Sequence, residues 1–453
     1  MEPPGSRTAL TGQPLHTLRN PTDARGVPDL RHDHRHAHER REPVSERGGC
    51  PVPTGPDEEA IRSVNDLTAD WARLAVGPGE GRGTVFSAAA VWPLLALLAA
   101  GADGPARSEL RAVLGLPGAA DAAERGRRMV EVLRAADGVD AAVGLWTRRD
   151  VPIRPVWEAR LPDGVRGELT GDPERDGRAL DAWAAGHTAG AVPSMPVPTG
   201  PDLAMVLAGA LLVRTRWTTP FSEGRLTPET GPWRDRRLAG LYRTGGDLDS
   251  VRVAPDTPAG PLTVAEVRGD NGLDVYLLLG AEGVPGADVL AAGPGVLAGD
   301  HVTVPGSALP YGEPGPGVTV ADATGWDDSP VLAVSTARFT VRAEHDLLER
   351  PEAFGLRTAV DRSTGHFPGI SPVPLAVSSA RQNVVAAFTA RGFEAAAVTA
   401  FGMAAAGVPT RRSRHVSALF ERPYGFLAVH RRSGLILAAG WVTEPDDAPD
   451  HPW

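Results

Sequence analysis

Residues 392–408 read Gly-Phe-Glu-Ala-Ala-Ala-Val-Thr-Ala-Phe-Gly-Met-Ala-Ala-Ala-Gly-Val, and Glu394 is the only charged residue among them. A strand-like run, Asn383 to Thr389, precedes this stretch, and Pro409 with a cluster of arginines follows it. Alanine is the best helix former, so the stretch taken alone could be a buried helix. Its flanks instead favour an exposed excursion of the chain between two strands.

Read as a strand, the stretch has two unequal faces, because successive side chains of a strand point to opposite sides. One face carries Phe393, Ala395, Ala397, Thr399, Phe401, Met403 and Ala405. The opposite face carries Glu394, Ala396, Val398, Ala400, Gly402 and Ala404. Because one face is bulkier and more apolar, the stretch can exist either as an exposed loop or as a strand within a sheet.

Composition limits what the 453-residue chain can do. Its 46 basic and 56 acidic residues give a net charge of -10, so we expect neither nucleic acid nor an anionic membrane as a partner. All the basic residues except histidine are arginine, which excludes enzymes that depend on a catalytic lysine. The sequence also lacks G-x-S-x-G, H-E-x-x-H and phosphate-loop motifs. We therefore expect no catalytic residues, no cofactor and no enzyme activity.

Residues 1–58 are rich in Pro, Gly, Arg and His and show no apolar period, which predicts a disordered tail. Side chains that could bind a transition metal cluster in this tail, namely His32, Asp33, His34, His36 and His38, although a solvated tail without metal is the interpretation we prefer. The single cysteine, Cys50, cannot form an internal disulfide. Since no apolar stretch is long enough for a membrane helix and no secretion leader is present, the sequence as written indicates a cytoplasmic chain.

Order is predicted to begin with a helix in which Ile61, Val64, Leu67, Trp71 and Leu74 recur at the helical period. A second, wholly apolar helix begins after Ser87 and ends at Gly101. Further helices are expected at 106–114, 123–136 and 179–187, and strands at 141–147, 205–213, 262–267, 273–279 and 331–334. Helices followed by strands without βαβ alternation predict an α+β domain with antiparallel sheets over residues 59–446, followed by a short tail at 447–453.

Several ordered motifs between residues 60 and 445 resemble the serpin family. The N-terminal matches are Phe86-Ser87, then Leu180, Trp183, Thr188 and Gly190, and then Leu207 to Trp217 with Pro220-Phe221. The more specific C-terminal matches are Phe367, Gly369-Ile370-Ser371, Gly392, Glu394 to Ala397, Thr399, Phe420, Arg422-Pro423-Tyr424, Gly440 and Pro445. Together they identify the chain as a divergent, bacterial-type member of the family.

The resemblance implies a serpin fold, with about three mainly antiparallel β-sheets, eight or nine helices and an exposed reactive loop at about residues 392–415. A serine or cysteine protease cleaves this loop in serpins, and the loop then inserts into a sheet as an added strand. The inhibitor is consumed as a suicide substrate. The resemblance also implies a monomer and an extracellular setting.

Two parts of the loop carry the implied function, the hinge and the scissile bond. The implied hinge consists of Gly392, Phe393, Glu394, Ala395, Ala396, Ala397, Val398 and Thr399. Counting forward from the hinge places the scissile bond between Ala406 and Gly407, which suits elastase-like or subtilisin-like proteases. Counting back from Pro423 places it between Arg412 and Ser413, which suits trypsin-like proteases, whose specificity pocket carries a carboxylate. Both positions remain open.

The sequence departs from the family pattern around the hinge. Phe393 stands where inhibitory members carry a small residue, and Gln382 and Asn383 replace the usual His and Lys in the strand before the hinge. Ala390 and Arg391 replace two glutamates. These departures leave a second hypothesis, a non-inhibitory serpin-fold binding protein that proteases cleave without being trapped.

Overall fold

A computed structural model describes residues 57–77, 82–116, 121–198, 200, 203–325, 328–393 and 411–449. The described residues form seven α-helices: α1 (Glu58–Ala75), α2 (Ala88–Ala99), α3 (Gly104–Val113), α4 (Ala122–Ala135), α5 (Pro155–Glu158), α6 (Pro173–His187) and α7 (Gly286–Ala298). Four short 3₁₀ segments accompany them. No helix in the described ranges is long and apolar enough to cross a membrane.

Capping side chains set where the helices begin. The Ser87 hydroxyl accepts a hydrogen bond from the amide of Ala90 (3.2 Å), as expected of the residue before α2. The Asp172 carboxylate caps α6 through the amide of Arg175 (3.0 Å), and Pro173 occupies the first turn. The sequence predicted a start at 179 from the apolar residues alone. Because the first turn of α6 is polar, the apolar pattern does not show that the helix begins at 173.

Twenty strands make up most of the remaining regular structure of the described residues. They are β1 (Thr84–Phe86), β2 (Val139–Arg148), β3 (Arg166–Leu169), β4 (Met205–Val213), β5 (Thr215–Arg216), β6 (Ser222–Leu226), β7 (Leu238–Gly245), β8 (Val251–Ala254), β9 (Leu262–Arg268), β10 (Leu273–Gly280), β11 (Val304–Pro305), β12 (Gly312–Gly315), β13 (Val318–Gly325), β14 (Val331–Ala337), β15 (Phe339–Asp346), β16 (Ser379–Phe388), β17 (Gly392–Phe393), β18 (Arg411–Leu419), β19 (Tyr424–His430) and β20 (Leu435–Val442).

The strands of the described residues form three sheets, the number that the serpin resemblance implies. Sheet 1 has the order β1-β20-β19-β10-β9-β8-β11, and sheet 2 has the order β12-β13-β18-β14-β7-β6. Sheet 3 has the order β3-β2-β4-β16-β17-β5, and β15 pairs with the other side of β16. Past β20 the chain still pairs with β7, where Asp447 lies opposite Leu238 in an isolated bridge.

Sheet 3 is covered on both faces. Helix α2, buried over its whole length, packs between β2 and β4 of sheet 3 and β20 of sheet 1. On the other face, Leu180 and Ala184 of α6 pack in one apolar cluster with Val206, Ala208 and Ala210 of β4. Because β4 is buried from both sides, its sequence is a continuous apolar run.

Candidate functional site

The centre of sheet 3 contains a pair of parallel strands, β4 and β16. Six residue pairs align them, from Ser379 opposite Val206 to Val384 opposite Leu211. The outer neighbours of the pair, β2 and β15, run antiparallel to β4 and β16 respectively. We call the boundary between β4 and β16 the seam.

The two-residue strand β17 lies directly above the seam. Phe393 pairs with Phe388 of β16 on one side and with Thr215 of β5 on the other, and Gly392 pairs with Arg216. Strand β17 is antiparallel to both neighbours. Gly392 and Phe393 therefore form a short strand between β16 and β5 at the end of the seam.

The turn that leads into β17 is fastened to the segment after β5. The indole of Trp217 donates a hydrogen bond to the carbonyl of Thr389 (2.9 Å), and its backbone amide donates to that of Arg391 (2.8 Å). The amide of Phe221 donates to the carbonyl of Ala390 (2.8 Å). The carbonyls of three successive residues before β17 thus accept hydrogen bonds from Trp217 and Phe221, which holds this turn in place.

Gly392 and Phe393 meet opposite packing requirements. A Cβ atom on Gly392 would lie 2.3 Å from the carbonyl oxygen of Thr215, so only glycine fits between β16 and β5. Phe393 is 1% exposed, and its ring lies 5.7 Å from that of Phe426 in sheet 1. The fold therefore accommodates the bulky residue at position 393 while the chain is intact.

A buried amide joins the seam to α2. The side chain of Gln382 accepts a hydrogen bond from the Ser87 amide and donates one to the Ser87 carbonyl, both at 2.8 Å. The Ser87 hydroxyl donates in turn to the carbonyl of Leu437 in sheet 1 (2.5 Å). Gln382 is fully buried, so these bonds have no competition from water. We call the pair Gln382–Ser87 the latch.

Two further polar contacts involve β16. Asn383 donates to the carbonyl of Ser194 (3.3 Å) on the α6 side of sheet 3, and Arg381 forms an ion pair with Asp346 of β15 (2.8 Å). His345 of β15 lies opposite Gln382. Burial lowers the pKa of the His345 imidazole below its ordinary value, although a hydrogen bond to the Val85 carbonyl (3.0 Å) opposes this shift. Across the described ranges, no three His, Cys, Asp or Glu side chains converge as metal ligands would.

The structure places only part of the residues that the sequence singled out. Gly392 and Phe393 lie in β17, whereas Glu394 to Thr399, Ala406 and Gly407 lie outside the described residues, as do Cys50 and the histidines of the tail. Arg412 and Ser413 lie in β18, paired with Thr324 and Ala323 of β13. Ser413 is 6% exposed, so the Arg412–Ser413 bond is part of sheet 2 in this state.

Asn271, which lies near β17, was not identified as a site residue from the sequence. It lies in the turn between β9 and β10, and its side chain donates a hydrogen bond to the carbonyl of Arg214, the residue before β5. The dipeptide Asn271-Gly272 between two predicted strands is a hairpin signal that could have identified the turn. No local pattern indicates that this turn reaches sheet 3.

A family model described as Serpin (serine protease inhibitor) matches residues 62–230 and 321–445. Serpin-Z2B from rice is 25% identical over 440 residues, a match that covers 86% of this chain and 99% of that protein. Serpin-Z2A, also from rice, is 29% identical over 189 residues, but that match spans only 44% of the relative.

Solved structures share the fold at low sequence identity. Human thyroxine-binding globulin in complex with thyroxine aligns with a TM-score of 0.66 at 15% identity, covering 86% of this chain and all of that one. Serpin48 of the insect Tenebrio molitor aligns with a TM-score of 0.63 at 17% identity, covering 86% of this chain and 99% of that one. With three sheets in the described residues and a family model that matches most of the chain, the protein belongs to the serpin family.

Proposed function

We propose that this serpin is a suicide-substrate inhibitor of serine proteases that acts by inserting its cleaved loop into the seam. The observation that carries the proposal is the direction of β17, which is antiparallel to both β16 and β5. Because β4 and β16 are parallel to each other, any strand that continued β17 between them would be antiparallel to both. Insertion would therefore extend a strand whose first two residues are already paired.

The existing pairs also determine the register of such a strand. Extending the pair Phe393–Phe388 down β16 brings Thr399 opposite Gln382. Extending the pair Phe393–Thr215 down β4 brings Thr399 opposite Gly209. The two results agree, because Gln382 and Gly209 are already partners across the seam. In the inserted strand, Thr399 would therefore lie between Gln382 of the latch and Gly209.

The orientation of Phe393 determines which face of the inserted strand enters the core. Its ring points toward Phe426 of sheet 1, and alternate residues of a strand share a face. Residues 395, 397, 399, 401, 403 and 405 would then face sheet 1 and α2. This is the bulkier, more apolar face of the loop, which matches the buried side that it would join.

The loop is long enough, and the gain in pairing large enough, for complete insertion. Residues 394–405 number 12 and would extend about 40 Å as a strand, whereas β16 has 10 residues. Insertion exchanges one parallel ladder for two antiparallel ladders. At about 0.5–1.5 kcal/mol per additional backbone hydrogen bond, the exchange stabilises the cleaved protein by on the order of 10 kcal/mol.

The state of β18 favours the first of the two scissile bonds. A protease needs an accessible, extended segment, but Arg412 and Ser413 are paired with β13 and Ser413 is buried. We therefore assign the scissile bond to the peptide bond between Ala406 and Gly407. A small residue before the scissile bond suits elastase-like or subtilisin-like proteases, and it does not suit trypsin-like proteases as the main targets.

The decisive experiment incubates the full chain with elastase-like, subtilisin-like and trypsin-like proteases. We expect a complex that survives denaturing gels with at least one of the first two, and mass spectrometry should place the cut after Ala406. The clipped protein should melt well above the intact one. Cleavage by all three proteases with neither a stable complex nor a rise in Tm would refute inhibition.

A binding function is the second candidate, and a separate cavity favours it. A cleft of about 810 Å³ lies between α1 and α7, with Arg62, Tyr276 and Arg431 among its lining residues. Thyroxine-binding globulin, which shares the fold, was solved with a small ligand bound. If this role replaces inhibition, aromatic carboxylic acids should bind saturably, the Arg62→Ala variant should weaken that binding, and protease cleavage should give no complex.

A further inference from the structure

Asn271 ties three segments together beside the hinge. Its amide nitrogen donates to the carbonyls of Arg214 (2.9 Å) and Asp137 (3.1 Å), and its amide oxygen accepts a hydrogen bond from the Thr215 hydroxyl (2.6 Å). Arg214 joins β4 to β5, and Asp137 lies just before β2. One side chain from sheet 1 thus fixes the upper ends of two strands of sheet 3.

The turn that carries Asn271 is itself rigidly held. Asp274, fully buried, accepts a hydrogen bond from the amide of Gly269 (3.1 Å) and forms a two-point ion pair with Arg431 (2.5 and 2.6 Å). Arg431 also donates to the carbonyl of Gly269 (2.7 Å). Charge-assisted bonds of this kind are stronger than neutral ones, so the position of Asn271 follows that of sheet 1.

Glycines make the close approach possible. A Cβ atom on Gly138 would lie 2.3 Å from the Asn271 amide nitrogen and 2.1 Å from the Arg214 carbonyl oxygen. A Cβ atom on Gly269 would lie 1.9 Å from the Thr215 hydroxyl oxygen. The contacts of Asn271 are therefore built into a site with no spare room around the Arg214–Thr215 peptide.

We infer that Asn271 is a positioning residue, which holds Thr215 in the place where the inserting loop pairs with it. The inference rests on the proposed inhibitory function. Thr215 pairs with Phe393, where the inserted strand would begin. Each later residue pair of that strand requires β4 to stay aligned with Thr215. Without Asn271, the Arg214 and Asp137 carbonyls lose a donor and β5 can shift away from the hinge. Insertion then slows, and more protease completes hydrolysis and escapes.

The test measures how many molecules of inhibitor are consumed for each protease molecule inactivated. We expect Asn271→Ala to raise this ratio on the order of tenfold, because the loss of two or three hydrogen bonds is large on the scale of reaction barriers. The cut site itself should not change. Thr215→Val, which removes only one of the three bonds, should raise the ratio less and serves as the second variant if Asn271→Ala does not fold.

Asn65 provides a matched control far from the hinge. Its side chain likewise makes two backbone bonds, donating to the Gly434 carbonyl and accepting from the Ile436 amide, both at 2.9 Å. Asn65→Ala should lower Tm without changing the ratio. If Asn271→Ala and Thr215→Val consume no more inhibitor than Asn65→Ala, the inference is wrong. If the unaltered chain forms no complex at all, the failure belongs to the proposed function instead.

Discussion

The rings of Phe393 and Phe426 lie 5.7 Å apart at an interplanar angle of 63°, joining the hinge to a central strand of sheet 1. This contact exists in the intact chain, before any cleavage. Residue 393 is therefore already buried, and the proposed insertion would begin at Glu394. An aromatic residue at this position acts as an anchor for the start of the loop.

Truncating the anchor should destabilise the intact protein. We expect Phe393→Ala to lower the free energy of unfolding by about 3–5 kcal/mol, because removing a buried ring loses apolar transfer free energy and leaves a cavity. Phe393→Leu, which keeps a smaller apolar side chain at the site, should cost less than the alanine variant because it leaves a smaller cavity. Urea unfolding measures both values. A loss for the alanine variant no larger than for the leucine variant would contradict the anchoring role.

The proposed register makes Thr399 a sensitive position. Thr399→Arg would bring a charge to a fully buried site beside Gln382, at a cost of several kcal/mol. We expect the variant to be cleaved at a normal rate, to form little complex on denaturing gels and to melt scarcely higher after cleavage. Thr399→Ser should behave like the unaltered chain. Complex formation by Thr399→Arg at full yield would rule out this register.

The latch should control how easily the seam opens. Gln382→Leu leaves the buried amide and carbonyl of Ser87 without their partners, which costs about 1–3 kcal/mol for each group. We expect a lower Tm and, on mild heating, earlier association of chains through the opened seam, visible on native gels. Asn383→Ala, which removes one longer bond to Ser194, is the comparison. Equal effects of the two variants would show that Gln382 has no special role.

His345 should make the stability of the protein dependent on pH. Burial lowers the pKa of its imidazole in the folded state, so the unfolded chain binds the proton more readily. The free energy of unfolding should therefore fall as the pH drops through the ordinary histidine value of about 6.5. His345→Gln should flatten this dependence. His430, whose pKa is also lowered, contributes equally to both proteins, so an unchanged slope in the variant would exclude His345 as the source.

The sequence predicted elements that depend on local burial. Strand β4 was predicted from end to end, Met205–Val213, because both of its faces are covered and its residues are all apolar. Helix α2 was predicted equally well from its capping serine and apolar run. The start of α6 was missed, since its first turn is polar and, apart from the buried Asp176, exposed. Local patterns thus reveal the buried part of an element better than its ends.

The site was predicted less completely, because its contacts join distant parts of the chain. The latch connects residues 295 positions apart, and Asn271 contacts a backbone carbonyl 57 positions away. A side chain that binds a remote carbonyl has no periodic signature. Motif resemblance predicts a hinge that begins at Gly392, but the pairing of Phe393 with both Phe388 and Thr215 required the three-dimensional structure.

The position of β18 to β20 governs what happens to the piece downstream of a cut. Strand β18 lies between β13 and β14, and β19 and β20 lie within sheet 1, so every strand after the loop has neighbours on both sides. A chain severed at residue 406 would keep residues 411–449 bound by these ladders and by the apolar core. The nicked protein would migrate as one particle in native solution and separate into two fragments only in denaturant.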